Sequence, residues 1–235
     1  MLAIYKREMR SYFTGVIGYV FLVIFLAVAG VAFAYTTLFS MTSDLTAYYT
    51  LMLLFSAIIL PILTMKSFSE EKKMKTEQLL LTSPVSIISV VAGKFLASLT
   101  MFSGVVIFTA LYALILIPYG TLKLAVIIGN VIALLLVGTV FISIGLFVSS
   151  LTENQLAAAV GTIAIILVLL GIGLLSALLP STYWLRFALD ALSIFNRFQN
   201  FTNGYFDIAS LVYYVSVSAI FLYFTIRVYD RRRYN

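Results

Sequence analysis

The sequence predicts an all-α integral membrane protein with six transmembrane helices, and three observations support this fold class. Of its 235 residues, 63% are hydrophobic and only 10% are charged, and the mean hydropathy is +1.11. Six apolar runs, the last with its flanking residues, are each long enough to cross a bilayer as a helix. No polar stretch is long enough for a catalytic domain, so a single transmembrane domain over residues 1–235 is expected. The predicted spans are residues 16–38, 48–65, 95–117, 124–148, 156–179 and 211–226.

The N-terminal segment, residues 1–15, carries three bases, Lys6, Arg7 and Arg10, between aromatic residues. This pattern predicts a short helix on the cytoplasmic membrane interface, basic on one side and aromatic on the other. A plain basic flank that only fixes the topology of the first span is the alternative.

The only long charge-dense segment in the sequence is the loop of residues 66–94, between the second and third spans. Its five lysines place this loop in the cytoplasm by the positive-inside rule. Glu71 and Lys75 are one helical turn apart and predict a short charged helix, and Ser67 with Glu70 fits a capping box at its start. The lysines are Lys66, Lys72, Lys73, Lys75 and Lys94.

Three leucines, residues 79–81, follow these charges, and Pro84 ends the helix because a proline biases its predecessor away from helical backbone. An apolar patch with a charged rim is suited to docking a cytosolic protein. A solvated loop that merely connects two spans is the alternative interpretation of the same charges.

This loop resembles the cytoplasmic loop of ABC-2 type transporter permeases, whose coupling helix fits into a cleft on an ATP-binding subunit. That family usually has glycine before the threonine, where this chain has Lys75. The opening KREMRSYF, followed by G-x-I-G-Y, is similar to the branch of gliding-motility and copper-maturation permeases, in which it forms an elbow helix. The loop residues that carry the resemblance are Glu71, Thr76, Glu77, Leu79, Leu80, Pro84, Val85, Ser86, Gly93 and Lys94.

The resemblance implies the membrane subunit of an exporter that moves a hydrophobic or amphipathic substrate. Its partners would be ATP-binding cassette subunits, which hold the ATP and magnesium, and a second permease copy or a sister permease. This chain itself is expected to bind no cofactor. The implied docking residues are Glu70, Glu71, Lys75, Thr76, Glu77, Leu79, Leu80 and Pro84, and the implied elbow residues are Lys6, Arg7 and Arg10.

Residues 180–208, between the fifth and sixth spans, are amphipathic and rich in aromatic side chains. We expect this segment to lie in the outer membrane interface. In the resembled family the corresponding region forms small helices that partly re-enter the membrane, and a passive interfacial helix is the alternative.

The basic residues predict that both termini are cytoplasmic. Twelve of the fifteen fall at the N-terminus, in the charged loop or at the C-terminus, whereas Lys123, Arg186 and Arg197 fall outside. We therefore expect a protein of a prokaryotic cytoplasmic membrane whose bases contact lipid headgroups and not nucleic acid.

The residue inventory argues against several function classes. The chain has no cysteine and no histidine, so disulfides are impossible and the commonest metal ligands and general base are missing. No GxxxxGK[ST] loop occurs in the sequence, so ATP hydrolysis is expected in a separate subunit. No predicted span has an ionisable residue near its middle, which disfavours an ion-coupled transporter or an ion channel.

Two interpretations remain open at this point. The polar residues inside the spans, Asn130, Ser143, Ser98 and Thr162, could line a pathway, although helix packing is the commoner role of such residues. The whole chain could instead be a membrane anchor or assembly factor that tethers a cytosolic ATPase to a motility or maturation complex without moving a solute.

Overall fold

A computed structural model of the chain describes residues 1–42, 44–78, 85–119, 124–178, 184–202 and 207–234. The chain is 91% helical and has no strand within these ranges, which confirms the all-α class. The described helices are α1 (Leu2–Thr14), α2 (Val16–Phe33), α3 (Thr46–Thr64), α4 (Lys66–Lys73), α5 (Ile87–Ala110), α6 (Leu124–Leu151), α7 (Gln155–Leu178), α8 (Trp184–Leu192), α9 (Ile194–Thr202) and α10 (Ile208–Tyr234).

Six stretches of the described chain are long and apolar enough to cross a membrane, which confirms the predicted number of spans. Short irregular helices extend two of them, a π-helical turn at Ala34–Leu38 after α2 and a 3₁₀ helix at Leu111–Tyr119 after α5. The six stretches are Val16–Leu38, Thr46–Lys73, Ile87–Leu116, Ala125–Leu151, Gln155–Ser176 and Ile208–Arg233.

The helices around the charged loop begin and end as follows. Helix α3 ends at Thr64, next to the predicted end of the second span at residue 65, and α4 follows directly after Met65. Helix α5 begins at Ile87, eight residues before the predicted start of the third span, because the Ser86 hydroxyl caps its first turn by accepting a hydrogen bond from the Ser89 amide at 3.3 Å. Lys94 therefore lies inside α5, and the extent of the cytoplasmic loop stays a prediction.

Helix α6 is the centre of the bundle and packs against α3, α5, α7, α9 and α10. It is apolar on all sides, as expected of a helix surrounded by protein. Two glycines let neighbouring helices approach its backbone closely. A Cβ atom at Gly138 would lie 2.1 Å from the Phe102 ring, and one at Gly145 would lie 2.1 Å from the Thr64 hydroxyl.

The intramembrane polar side chains fit the packing interpretation. The side chains of Asn130, Ser143 and Thr162 donate hydrogen bonds to backbone carbonyls of their own helices. Ser98 is buried and bonds across to Tyr12 of α1. These groups are satisfied within the bundle, apart from the Asn130 Oδ1 atom.

The predicted outer segment forms two short helices, α8 and α9. Trp184 and Phe187 of α8 are largely exposed, whereas Phe198 and Phe201 of α9 are buried against the bundle. The hydroxyl of Tyr214 donates to the carbonyl of Ile194 at 2.9 Å and ties α9 to α10. The position of these helices relative to the membrane stays a prediction.

Candidate functional site

Helix α4 is held at its start by one buried hydroxyl from α6. The Oγ atom of Ser149 accepts hydrogen bonds from the backbone amides of Phe68 and Ser69, both at 3.1 Å, and donates to the carbonyl of Met65 at 3.0 Å. It thereby pairs amides that lie in the first turn of α4, where a helix has no partners of its own. The end of α6 therefore fixes the direction in which α4 leaves the bundle.

This arrangement corrects the capping box predicted from Ser67 and Glu70. The N-cap position of α4 is Met65, and no side chain of the cap makes a hydrogen bond. Ser67 lies inside the helix, where its hydroxyl has no hydrogen-bond partner. The prediction failed because the acceptor for the first-turn amides is Ser149 of α6, which is 80 positions from Ser69 in sequence.

A cluster of four charged side chains, which we call the charged junction, joins α4 to α1 and α5. Lys94 of α5 is 2% exposed. Its ammonium donates to the carboxylate of Glu71 at 3.0 Å, to that of Glu8 at 3.1 Å and to the Ser67 carbonyl at 2.6 Å. Arg7 of α1 donates to the same two carboxylate oxygens, at 2.7 Å to Glu71 and 2.8 Å to Glu8. The two positive charges balance the two negative ones.

The charged junction contradicts two expectations from sequence. Lys94, which was counted among the lysines of the loop, is a buried and paired cation within α5. Glu71 bonds to Arg7 and Lys94 and not to Lys75. Lys75 follows the end of α4 with a φ of 57°, a left-handed conformation that favours glycine. This accounts physically for the glycine that the resembled family usually has before the threonine.

A second contact fastens the C-terminal helix to the chain just after α4. Arg232 of α10 donates to the Glu77 carboxylate at 3.0 Å and to the Ser150 carbonyl at 2.8 Å. Glu77 is 8% exposed. The ring of Tyr229 lies 4.8 Å from that of Phe68, so α10 also packs against α4 itself.

Helix α1 lies along α5, and a glycine and a hydrogen bond mark their contact. A Cβ atom at Gly93 would lie 3.0 Å from Ile4, so a larger residue there would force the Ile4 side chain to shift. The Tyr12 hydroxyl is 2.9 Å from Ser98 Oγ, and burial raises the pKa of Tyr12 to about 12. Tyr12 therefore stays protonated at neutral pH and keeps this bond.

The structure divides the predicted docking and elbow residues into inward and outward groups. Glu71 and Glu77 are inward and make the ion pairs described above, whereas Arg7 pairs with Glu71 but its own side chain is 50% exposed. Glu70 is partly exposed and lies 3.9 Å from Lys66. The outward group is Lys75, Thr76, Lys6 and Arg10. Leu79, Leu80 and Pro84 lie outside the described residues.

Sequence reasoning missed one exposed residue of this region. Met74 is 67% exposed, between Lys73 and Lys75, which are also exposed. The available signal was a single apolar residue inside a run of charges, which by itself is common on protein surfaces. Among the residues that the structure describes, no group of three or more His, Cys, Asp or Glu side chains could hold a metal ion.

Comparison with known proteins identifies the family. The model of the ABC-2 family transporter protein matches residues 2–232, which is nearly the whole chain. No curated protein matches the chain. The chain therefore belongs to the ABC-2 transporter family, whose members are membrane components of ABC transport systems and work with ATP-binding subunits.

Proposed function

We propose that this chain is the transmembrane subunit of an ATP-binding cassette exporter that moves a hydrophobic or amphipathic substrate. Its family and its six apolar helices support a permease. Since the sequence has no GxxxxGK[ST] loop, the ATP and magnesium would be bound by a separate subunit. We place the protein in a prokaryotic cytoplasmic membrane with both termini in the cytoplasm, in the branch that includes gliding-motility and copper-maturation permeases.

The docking surface for the ATP-binding subunit is the exposed end of α4. Lys73, Met74, Lys75 and Thr76 all point outward, and Met74 supplies an apolar group at their centre. Such a group, surrounded by charges, fits a cleft on a partner as a central anchor with a polar rim. Leu79 and Leu80 follow in the chain and belong to the same proposed surface.

The inward residues connect this surface to the membrane spans through ion pairs and hydrogen bonds, so they would transmit a displacement of α4. Glu71 joins α4 to α1 and α5 through the charged junction, and Glu77 joins the following segment to α10 through Arg232. Ser149 adds a connection to α6. A displacement of α4 would therefore act on the ends of several spans at once, because each of these contacts is 3.1 Å or shorter.

A complete pathway would need a second subunit, either another copy of this chain or a sister permease. Large apolar residues remain exposed along α2 and α7, including Val23, Val31 and Val168. These faces suit lipid or a second permease. In such a dimer, ATP-dependent closure of two ATP-binding subunits would switch the pathway, provided that each conformation makes different contacts with the nucleotide-bound partner.

The test is to place a charge at the proposed anchor with Met74→Glu. The matched control is Met41→Glu, because Met41 is also an exposed methionine and lies in the predicted outer loop. We expect Met74→Glu to lower the ATPase activity of the reconstituted complex about tenfold or more, as loss of a central interface residue does, with normal membrane insertion. Met41→Glu should retain wild-type activity. Equal activity of the two variants would contradict docking at α4.

A further inference from the structure

A cavity of about 510 Å³ lies beside the charged junction, between α1, the start of α2 and the end of α3 with α4. Its ionised lining residues balance in charge, so it has no preference for an anion or a cation as a whole. Three are positive and three negative: Arg7, Lys66 and Lys94 against Glu8, Glu70 and Glu71.

Two buried oxygen atoms in the lining have no hydrogen-bond partner. One is the Oγ atom of Ser67, a residue that is 7% exposed, and the other is Oε2 of Glu71. The other oxygen of Glu71 already accepts from Arg7 and Lys94. A buried unpaired carboxylate oxygen is costly, so this end of the cavity is suited to a ligand that donates hydrogen bonds and carries positive charge.

Two cations of the lining are exposed enough to meet a negatively charged group. The side chain of Arg7 is 50% exposed and that of Lys66 is 40% exposed, so both can reach a ligand in the cavity. Guanidinium and ammonium groups are the usual protein partners of phosphate. A ligand with an ammonium and a phosphate a few atoms apart would pair with both kinds of charge in this lining.

A row of exposed apolar side chains runs along α2 from the edge of the cavity. Val16, which lines it, begins a stripe of exposed residues along α2 at helical spacing, continuing through Val20, Val23 and Ile24. Phe13 and Tyr19 stand beside its beginning with their rings 6.4 Å apart. Aromatic side chains of this kind are enriched at the boundary between headgroups and acyl chains.

We propose that this cavity binds the headgroup of a zwitterionic phospholipid with a primary ammonium, of the phosphoethanolamine class. The ammonium donates to Glu71 Oε2 and Ser67 Oγ, the phosphate faces Arg7 and Lys66, and the acyl chains lie along α2. The proposal rests on the membrane placement given under the proposed function. Met74 and Thr76 of the proposed docking surface also line this cavity, and the two proposals are told apart because lipid binding is measured without nucleotide or partner.

The experiment is native mass spectrometry of the full chain in detergent, titrated with dioleoyl phosphatidylethanolamine, phosphatidylcholine or phosphatidylglycerol. Ser11→Trp fills the cavity from an exposed lining residue that takes no part in the ion pairs. Thr14→Trp is the matched control, since Thr14 is exposed on the same helix and is not among the lining residues. Glu71→Gln tests the ammonium contact itself, and water-soluble glycerophosphoethanolamine tests whether the acyl chains are needed.

We expect phosphatidylethanolamine to bind about tenfold more tightly than phosphatidylcholine, the difference of one charge-assisted hydrogen bond. Ser11→Trp should abolish that preference and Thr14→Trp should retain it, while Glu71→Gln should bind the two lipids equally. Equal binding of all three lipids by the wild type, or an unchanged preference in Ser11→Trp, would overturn the proposal. Tighter binding of phosphatidylglycerol would overturn its zwitterionic basis, and equal binding of the soluble headgroup would overturn the lipid assignment. None of these results changes the expectation for Met74→Glu.

Discussion

Replacing Lys94 by methionine tests the charged junction most severely. Methionine keeps much of the length of the side chain but removes the ammonium that three acceptors surround at 2.6–3.1 Å. Glu8 and Glu71 would then face each other with Arg7 as their only remaining cation in the junction. Because the side chain of Lys94 is 1% exposed, water cannot take over its role.

The expected loss follows from that burial. Removing one partner of a buried ion pair costs about 3–5 kcal/mol, and for a chain of this size each kcal/mol lowers the melting temperature by about 2–4 °C. Lys94→Met should therefore lower it by about 10 °C. The matched control is Lys66→Met, since Lys66 is 40% exposed and lies 3.9 Å from its glutamate. Such a surface pair contributes about 0–1 kcal/mol.

The assay is thermal unfolding of the purified variants in one detergent at one scan rate. The double variant Lys94→Met with Glu71→Gln completes the comparison, because removing a carboxylate should restore the charge balance. Its destabilisation should be smaller than the sum of the two single changes. If Lys94→Met melts within about 2 °C of Lys66→Met, which is less than 1 kcal/mol, the junction does not hold these helices together.

Three further predictions concern contacts around the same helices. Gly145→Ala should destabilise the protein by about 1–3 kcal/mol, because the new methyl group would overlap Thr64, whereas Gly104→Ala, at a site with open space, should be neutral or stabilising in the same thermal assay. Lys75→Gly should raise the melting temperature by relieving about 1 kcal/mol of left-handed strain, and Lys75→Val should lower it; the opposite order would refute the backbone argument. Arg232→Gln should speed hydrogen exchange of residues 74–78 about tenfold or more by removing the partner of Glu77, and the exposed neighbour variant Arg231→Gln should leave that exchange unchanged.

The six spans could be predicted from sequence because length and apolarity are properties of single segments. The first span, residues 16–38, agrees with the observed Val16–Leu38 at both ends. The N-terminal helix was likewise visible from its bases and aromatic residues, and it is observed as α1. These features depend on the composition of one segment, and they can be recognised without knowing which helices that segment contacts.

The charged junction could not be predicted in the same way, since its members are far apart in sequence. Arg7 and Glu71 are 64 positions apart, and Glu8 and Lys94 are 86 apart. From the sequence alone, Glu71 was expected to form an ion pair with Lys75, because only residues one helical turn apart can be recognised as neighbours without the fold. The burial of Lys94 depends on α1 and α4 both covering the same part of α5, which only the fold brings about.

The central claim, that the exposed end of α4 receives the ATP-binding subunit, can be tested by site-directed photo-cross-linking. The chain contains no cysteine, so Met74→Cys and Met41→Cys each provide one attachment site for a benzophenone maleimide in native membranes. If the ATP-binding subunit docks at α4, illumination joins position 74, and not position 41, to that subunit. A cross-link from position 41, or none from position 74 in a complex that still co-purifies with its ATPase, would contradict that claim.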